Sequence, residues 1–568
     1  MSGEIYRINV NRIVWEQWRD LANSTPEKEA IVHWVAGEEP FRWNWGQLFK
    51  KSLEIAKYLQ MSGVKKGDVC ALIIRHNKYF YPIYFAISAL GALPSVLAYP
   101  NARLHPEKFR QGLEGMAQRS GLDWLLTEKE LKEVIEPLSS RKKSTIRGII
   151  FPLDFIEEKH TKEIFVDHPD TNHDEPCLLQ HSSGTTGLQK AVVLSNRAIL
   201  EHVFRYGEAI QVKPDDKIVS WLPLYHDMGL IAAFYLPLTL GIPVIQVDPF
   251  EWVTAPVILL EAISKERGTL SWLPNFAYNL MADRIREEDL QGIKMDSIRM
   301  LINCSEPVRS ESHDKFFERF QPYGLKRESL AACYAMAETT FAATQTTPGM
   351  EANKVFVKRE ELMRGKVIIT KNQDGARISI SSGFPISGCE LKIVGESGED
   401  LPNENVGEVA IRSVSLFNEY RNNPEITAEA LQSGWYFSGD YGFKYKEEFY
   451  IIGRKKDLCI VAGNNIYPED VEDAVSQVKG VLPGRVVAFG IDDEISGTEQ
   501  ICVVAETNFN NSEEQKKLRQ EIIKSGMDID VTISRVYIAP PRWLIKSSSG
   551  KPSRKANMER ALNELQWR

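Results

Sequence analysis

The sequence predicts a layered α/β protein: a large N-terminal α/β domain of several subdomains, one of them β-rich, followed by a small, mobile α+β C-terminal domain. Three observations carry this. From about residue 65 to 345, short apolar runs alternate with longer helical stretches. From about 350 to 450 the texture changes to short strands broken by turns. Past Gly453-Arg454-Lys455-Lys456-Asp457 a module of roughly 110 residues remains, enough to enclose its own core. Placing the boundary after Lys455 gives domains 1–455 and 456–568.

In the first region the runs Val69–Ile74, Ser95–Ala98, Ile218–Leu222, Ile242–Val247, Thr269–Leu273 and Met300–Asn303 are read as strands. Sheets of this kind gather ligands beyond the carboxyl ends of their strands, and several polar clusters follow these runs directly. The most apolar segment, Ile231–Val247, is interrupted by Pro237, Gly241 and Pro243 and is too short to span a bilayer. It reads as a buried helix, a turn and a strand. In the second region Arg377–Ser381, Glu390–Val394, Gly407–Arg412 and Glu448–Ile452 are the expected strands. In the last, Val471–Val478 and the charged Ser512–Ser525 read as helices with strands between them.

A chain of 568 residues needs more than one core, and its 43% hydrophobic and 26% charged fractions are those of a soluble globular protein. A net charge of −8 argues against nucleic acid as the main partner, because phosphate-backbone binding relies on excess Lys and Arg. Seven scattered cysteines without a CxxC pair fit a reducing compartment and no structural metal. No basic n-region with an apolar h-region opens the sequence, so the expected location is the cytoplasm, without stable membrane insertion.

The segment Leu178-Leu-Gln-His-Ser-Ser-Gly-Thr-Thr-Gly-Leu-Gln-Lys190 turns an apolar run into a loop of hydroxyls, glycines and one lysine. Gly184 and Gly187 let the backbone approach a ligand, Ser182, Ser183, Thr185 and Thr186 bring donors, and Lys190 brings a compact positive charge. The glycine spacing is not that of a Walker loop. Locally, a polyphosphate cradle and a plain surface loop both remain open. Four clusters follow it: Tyr334-Ala-Met-Ala-Glu338, Tyr436-Phe-Ser-Gly-Asp440, Gly453-Arg454-Lys455-Lys456-Asp457 and Ser547-Ser-Ser-Gly-Lys551.

Five clusters in this order resemble the adenylate-forming superfamily of acyl-CoA synthetases, luciferases and peptide-synthetase adenylation domains, over nearly the whole chain. Within it, Ser220-Trp-Leu-Pro-Leu-Tyr-His-Asp-Met-Gly-Leu230, Leu273-Pro-Asn-Phe-Ala-Tyr278 and Ile302-Asn-Cys-Ser-Glu-Pro-Val308 are most similar to fatty acyl-AMP ligases. Lys354-Val-Phe-Val-Lys-Arg-Glu-Glu-Leu-Met-Arg-Gly365 resembles the start of an insertion that those ligases carry, linked in the family to disfavouring CoA as acceptor.

The resemblance implies ATP-dependent conversion of a medium- or long-chain fatty acid to acyl-AMP, then transfer to a carrier-protein phosphopantetheine. A fatty acyl-CoA synthetase using free CoA is the alternative, and a non-catalytic nucleotide-binding homologue is the third reading. Such chemistry brings two anions together, so cations and backbone N–H groups suit it. The resemblance assigns Thr185, Thr186, Gly187 and Lys190 to the β- and γ-phosphates, and Glu338 with Thr185 to Mg2+, which prefers carboxylate and phosphate oxygens. It assigns Asp440 to the ribose hydroxyls, Arg454 to the ribose or phosphates, Tyr334 to stacking on adenine, and Ser305, Glu306 and Pro307 to the adenine border. Lys551 would bridge substrate carboxylate and α-phosphate, His226 would gate the carboxylate site, and Lys456 would be the pivot of a rotating C-terminal domain. Lys455 and Asp457 are read as solvated charges.

Trp221, Tyr225, Met228, Leu230, Phe250, Trp252, Phe276, Tyr278 and Leu280 stand in segments that the resemblance assigns to an acyl tunnel, where each buried CH2 is worth about 0.8 kcal/mol; only some of them are expected to touch substrate, the others being core. Three positions depart from the ligase pattern: Gln189-Lys190-Ala191 for Pro-Lys-Gly, Cys304 for a glycine, and Ala335 for a glycine. Each adds bulk where the family often has less.

Overall fold

The computed structural model describes residues 8–100, 106–139, 144–157, 166, 168–181, 190–493, 498–546, 552–565 and 567. Its centre is a nine-stranded sheet in which Ile218–Ser220, Val244–Val247, Leu270–Leu273, Met300–Asn303 and Leu330–Ala335 form the middle, all pairing in parallel. These strands are buried on both faces, which is why they read as unbroken apolar runs rather than alternating ones. Their carboxyl ends point along one edge and deliver Trp221, Pro274, Cys304 and Met336 to it.

The single strand–helix alternation in the sequence divides into two sheets. Val69–Ile73, Leu93–Val96, Trp124–Thr127 and Gly148–Ile150 form a separate four-stranded parallel sheet. The large sheet instead recruits Glu29–Trp34, in parallel with Val244–Val247, and Phe41–Asn44 at its edge. Both precede the region expected to hold strands.

The apolar Ile231–Val247 segment is a helix, a turn and a strand, as read, but its helix begins earlier and in a wide form. Met228–Tyr235 is a π-helix with all of its residues buried, continued by Leu236–Leu240 and stopped at Gly241, whose φ is 70°. A β-carbon on Gly229 would lie 2.3 Å from the Pro223 carbonyl oxygen, so the chain can make this approach only with glycine.

The β-rich region contains Cys389–Val394, Gly407–Ser413, Trp435–Tyr445 and Glu448–Arg454 in one antiparallel sheet. Beside it, Lys354–Lys358 and Ala376–Ile380 pair as a hairpin enclosing the short helix Arg359–Met363. After Asp457, Val481–Asp493, Thr498–Thr507 and Ile533–Ala539 form a three-stranded sheet covered by Pro468–Ser476 and Ser512–Met527. It has its own core of residues such as Val471, Val475, Val503 and Ile522. Arginines from the preceding part grip the first helix of this unit: Arg377 at 2.8 Å and Arg359 at 3.6 Å from Asp470, and Arg309 on Asp473. Among the described residues no helix is long and apolar enough to cross a membrane.

Candidate active site

The edge formed by the strand carboxyl ends opens into a cleft of about 810 Å3, lined among others by Lys190, Tyr225, His226, Ser305, Glu338, Tyr420, Asp440, Arg454 and Lys456. Each lies on a defined element or within a few residues of one. Pro176–His181 and Ala191–Ser195 pair as an antiparallel hairpin, with His181 opposite Ala191, and His181 and Lys190 both line the cleft. The His181 ring is fixed between Ser95 at 3.0 Å and Ser120 at 3.2 Å, tying this hairpin to the four-stranded sheet. Burial holds His181 neutral, with its pKa lowered to about 4. Ser182, Ser183, Gly184, Thr185, Thr186, Gly187 and Gln189 lie outside the described residues, as does Lys551.

Glu338 sits in the turn Ala337–Thr339 beyond the strand Leu330–Ala335. Thr340, a β-branched residue, follows at φ 67°, a conformation that costs about 1–3 kcal/mol and persists only where its surroundings impose it. Here they do: Thr340 donates to the Ser415 carbonyl at 2.7 Å, and Phe417 N–H donates to the Glu338 carbonyl at 2.8 Å. The Tyr420 hydroxyl donates to the Glu338 carboxylate at 2.7 Å, and the Lys190 ammonium stands 4.4 Å from the Tyr420 ring. Burial pushes the Glu338 carboxyl above its ordinary range, against the pull of Tyr420 and Lys190. Tyr420 reaches this position because Glu419–Tyr420 pairs with Val193 and Val192, two to three residues after Lys190.

Asp440 and Arg454 face each other across adjacent antiparallel strands, at 3.5 Å. The Tyr334 hydroxyl donates to Asp440 at 2.7 Å. Tyr334 is almost wholly buried, so it meets the cleft through Asp440, while Ala335, Met336 and Ala337 form the wall. Burial raises the Asp440 carboxyl; Arg454 and Tyr334 pull it down. Lys456 is held below its ordinary pKa by burial and by repulsion from Arg454 and Lys190. Three cations therefore converge on a cleft in which an anion would relieve their repulsion.

Of the two positions read as solvated, Lys455 is exposed and Asp457 is partly buried, and both are ion-paired. Lys455 binds Glu408 at 2.9 Å, and Asp457 binds Arg554 at 2.5 Å. Their neighbours on the chain gave no sign of these partners, which lie far off in sequence. Tyr420 and Glu408 were missed for the same reason: a single tyrosine or glutamate within a strand carries no local pattern that names its partner.

Ser305 takes φ 72° where the strand Met300–Asn303 ends, and Glu306 keeps one buried carboxylate oxygen without a hydrogen-bond partner; Pro307 follows in the same turn. Cys304, bulkier than glycine, is fully buried against the Met228 sulfur, so its side chain points away from the cleft wall. His226 contacts Asp227 at 2.7 Å. Of the acyl candidates, Tyr225 lines this cleft. Trp221 and Trp252 stack with ring centroids 3.5 Å apart, with Phe276 edge-on at 6.1 Å and partly open to solvent. Tyr278 is fully buried against His313 and Phe316, its hydroxyl unpartnered.

Among the described residues no group of three or more His, Cys, Asp or Glu could cage a metal. The hard oxygen donors of Glu338 suit Mg2+, which needs only one or two carboxylates when phosphates and water complete its shell.

A model of AMP-binding enzymes matches residues 18–421. A medium-chain-fatty-acid–[acyl-carrier-protein] ligase, JamA of Moorena producens, is 30% identical over 90% of this chain and 88% of its own. A Legionella pneumophila fatty acyl-adenylate ligase, solved with acyl adenylate and pyrophosphate, is 26% identical with a TM-score of 0.73, covering 97% of this chain and 96% of its own. A structure among the fatty acyl-adenylate ligases of E. coli and L. pneumophila shares the fold at a TM-score of 0.89, with 23% identity and 98% of both chains covered.

Proposed function

This chain belongs to the AMP-binding enzyme family, and from that premise we propose that it activates a medium- or long-chain fatty acid with ATP and hands the acyl group to a carrier-protein phosphopantetheine thiol. The observation that carries this reading is the meeting of Lys190, Glu338, Asp440, Arg454 and Lys456, from separate segments of the chain, on one cleft. In the reaction a carboxylate oxygen bonds to the α-phosphorus of ATP while the bridge to the β-phosphate breaks and pyrophosphate leaves with the developing charge. Fixed cations suit that task because they stabilise the charge without reorganising. Lys190, with Thr185, Thr186 and Gly187, would hold the leaving phosphates, and Ser182, Ser183 and Gly184 would complete the loop. Glu338 and Thr185 would hold Mg2+, which neutralises phosphate charge when bound. Asp440 would accept from the ribose hydroxyls beside Arg454, and Lys551 would bridge carboxylate and α-phosphate.

Lys456 as pivot is supported by its neighbours. Arg454 and Lys455 are tied to Asp440 and Glu408 on one side, and Asp457 to Arg554 on the other. One backbone position between two anchors is where a rotation between lobes 1–455 and 456–568 would concentrate. The acyl chain would run past Tyr225 towards Trp221, Met228 and Phe276, with Tyr278 behind them. A carrier protein is favoured over CoA because the hairpin of Lys354–Lys358 and Ala376–Ile380 holds the second lobe through Arg377 and Asp470. With ATP and a carrier protein as substrates, the proposed location of the activity is the cytoplasm.

A pyrophosphate-release panel over acids of graded length, with holo carrier protein or CoA as acceptor, tests the reading. Fatty-acid-dependent release with acylation of the carrier is expected. Abundant acyl-CoA with no carrier acylation would replace it by the CoA synthetase reading, and ATP binding without release for any acid would replace it by a non-catalytic one.

A further inference from the structure

Among the described residues of the C-terminal unit, Arg554 is the most heavily engaged cation. Its Nη1 reaches Asp457 at 2.5 Å and Glu469 at 3.2 Å, its Nη2 binds both carboxylate oxygens of Glu472 at 2.9 and 3.0 Å, and its Nε donates to the Ala488 carbonyl at 2.9 Å. One guanidinium thus faces three carboxylates, and such planar, multidentate pairing fixes geometry as well as charge. The cluster lies against the pivot strand: a β-carbon on Gly453 would be 3.1 Å from the second Glu469 oxygen, which is buried without a partner. On its other side Arg554 opens the helix Arg554–Glu564. The chain just before that helix is pinned, with Ser553 N–H donating to the Ile545 carbonyl at 2.9 Å and Asn557 bonding Ile545 on both its N–H and its carbonyl at 2.8 Å.

We propose that Arg554 is a positioning residue for the lobe movement: it fastens the residue that follows the pivot to the body of the C-terminal lobe, so that rotation at Lys456 carries the Lys551 segment without slack. The inference rests on the reading of Lys456 and Lys551 given above and uses only the place of Lys551 in the sequence, three residues before Arg554. Without the anchor, the chain after Lys456 would turn on its own, and a misplacement of about 1 Å at the reacting atoms costs about a hundredfold in rate.

The variants are Asp457→Asn, Arg554→Gln, Arg554→Lys and the double Asp457→Asn/Arg554→Gln, each made in the full chain and checked by thermal melting. For Asp457→Asn, the turnover of fatty-acid-dependent pyrophosphate release should fall about 10- to 100-fold. The KM for ATP should stay within about threefold, because the nucleotide contacts other than Lys551 lie before the pivot and Lys551 acts in the reaction step. Arg554→Lys should recover part of the Arg554→Gln loss, and the double variant should be no worse than Arg554→Gln, since the pair acts as one unit. A second readout needs no turnover: interlobe distances from a pair of spin labels should broaden in Asp457→Asn with or without ATP. Full turnover in Asp457→Asn, multiplying losses in the double variant, or an unchanged distance distribution would overturn the proposal. Absence of pyrophosphate release by the unaltered protein would instead count against the proposed function, leaving the distance measurement to decide the role of Arg554.

Discussion

Burial pushes the Glu338 carboxyl above its ordinary range even though Tyr420 donates to it and Lys190 stands nearby. A raised folded pKa means that the folded chain holds the proton more tightly than the unfolded one. The associated stability is complete below the ordinary carboxyl pKa and is lost as pH rises through the raised value. Glu338→Gln removes the penalised charge while keeping an acceptor for Tyr420. It should therefore melt at or above the wild-type temperature at pH 8, with the difference vanishing near pH 4.5, while pyrophosphate release falls by about a hundredfold or more. A lower melting temperature at pH 8 would mean that Tyr420 and Lys190 outweigh burial. The sequence singled out Glu338, Asp440, Arg454 and Lys190 because each stands in a short cluster with a recognisable order. Tyr420 could not be found that way: its partner is far away in sequence, and only the pairing of Glu419–Tyr420 with Val192 and Val193 brings them together. Asp457 was misread because a charged residue in a polar loop is usually solvated, and nothing local marks the exception; Lys455 is exposed as read, but its pairing with Glu408 has no local sign either.

Elements were legible where burial imposes a pattern. Met300–Asn303 matches its reading at both ends, Ile218–Ser220, Val244–Val247 and Leu270–Leu273 differ from theirs only at one terminus, where the apolar run extends into the turn, and Leu330–Ala335 was not read as a strand. Glu29–Trp34 escaped notice although five of its six residues are buried, because it stands apart from the alternation that marks the rest. The π-helix Met228–Tyr235 has no sequence signature, since a wholly apolar stretch has no face to reveal its period. Gly229 is the exception, being the one residue that lets the wide turn approach the Pro223 carbonyl. Gly229→Ala should destabilise the protein by about 1–3 kcal/mol through overpacking, read as a lower denaturation midpoint with an unchanged m-value. The first helix of the C-terminal unit makes a pH prediction. Burial pushes the Glu469 carboxyl up to about 7, with Arg554 opposing and Glu472 reinforcing. Its stabilising contribution is present below the unfolded carboxyl pKa and disappears as pH rises through about 7. Glu469→Gln should therefore flatten the fall in melting temperature between about pH 5 and 8, and an equally steep fall in the variant would assign that titration to another group.

At the scale of the whole molecule the sequence supplied the order of the clusters and the size of the last unit, but not how that unit sits. Its seating depends on long-range ion pairs whose members look like ordinary surface charges: Arg309 with Asp473, and Arg359 and Arg377 with Asp470. Arg377 is almost wholly buried, and both Arg359 and Arg377 converge on one carboxylate. Removing that carboxylate leaves two cations without their charge partner, a loss that costs about 3–5 kcal/mol when the pair is buried. Intramolecular docking of the second lobe should therefore be the property most sensitive to Asp470. Asp470→Asn is expected to widen the radius of gyration in solution and to quicken proteolysis around residues 454–458. Each half of the molecule keeps its own core and should stay folded. If the hairpin grip also governs acceptor choice, loosening it should raise acyl-CoA formation relative to carrier acylation when both are compared per acyl-adenylate formed, because adenylate formation itself falls with the looser placement of Lys551. A variant with loosened lobes and unchanged acceptor preference would separate the two roles and leave the hairpin as a structural strut alone.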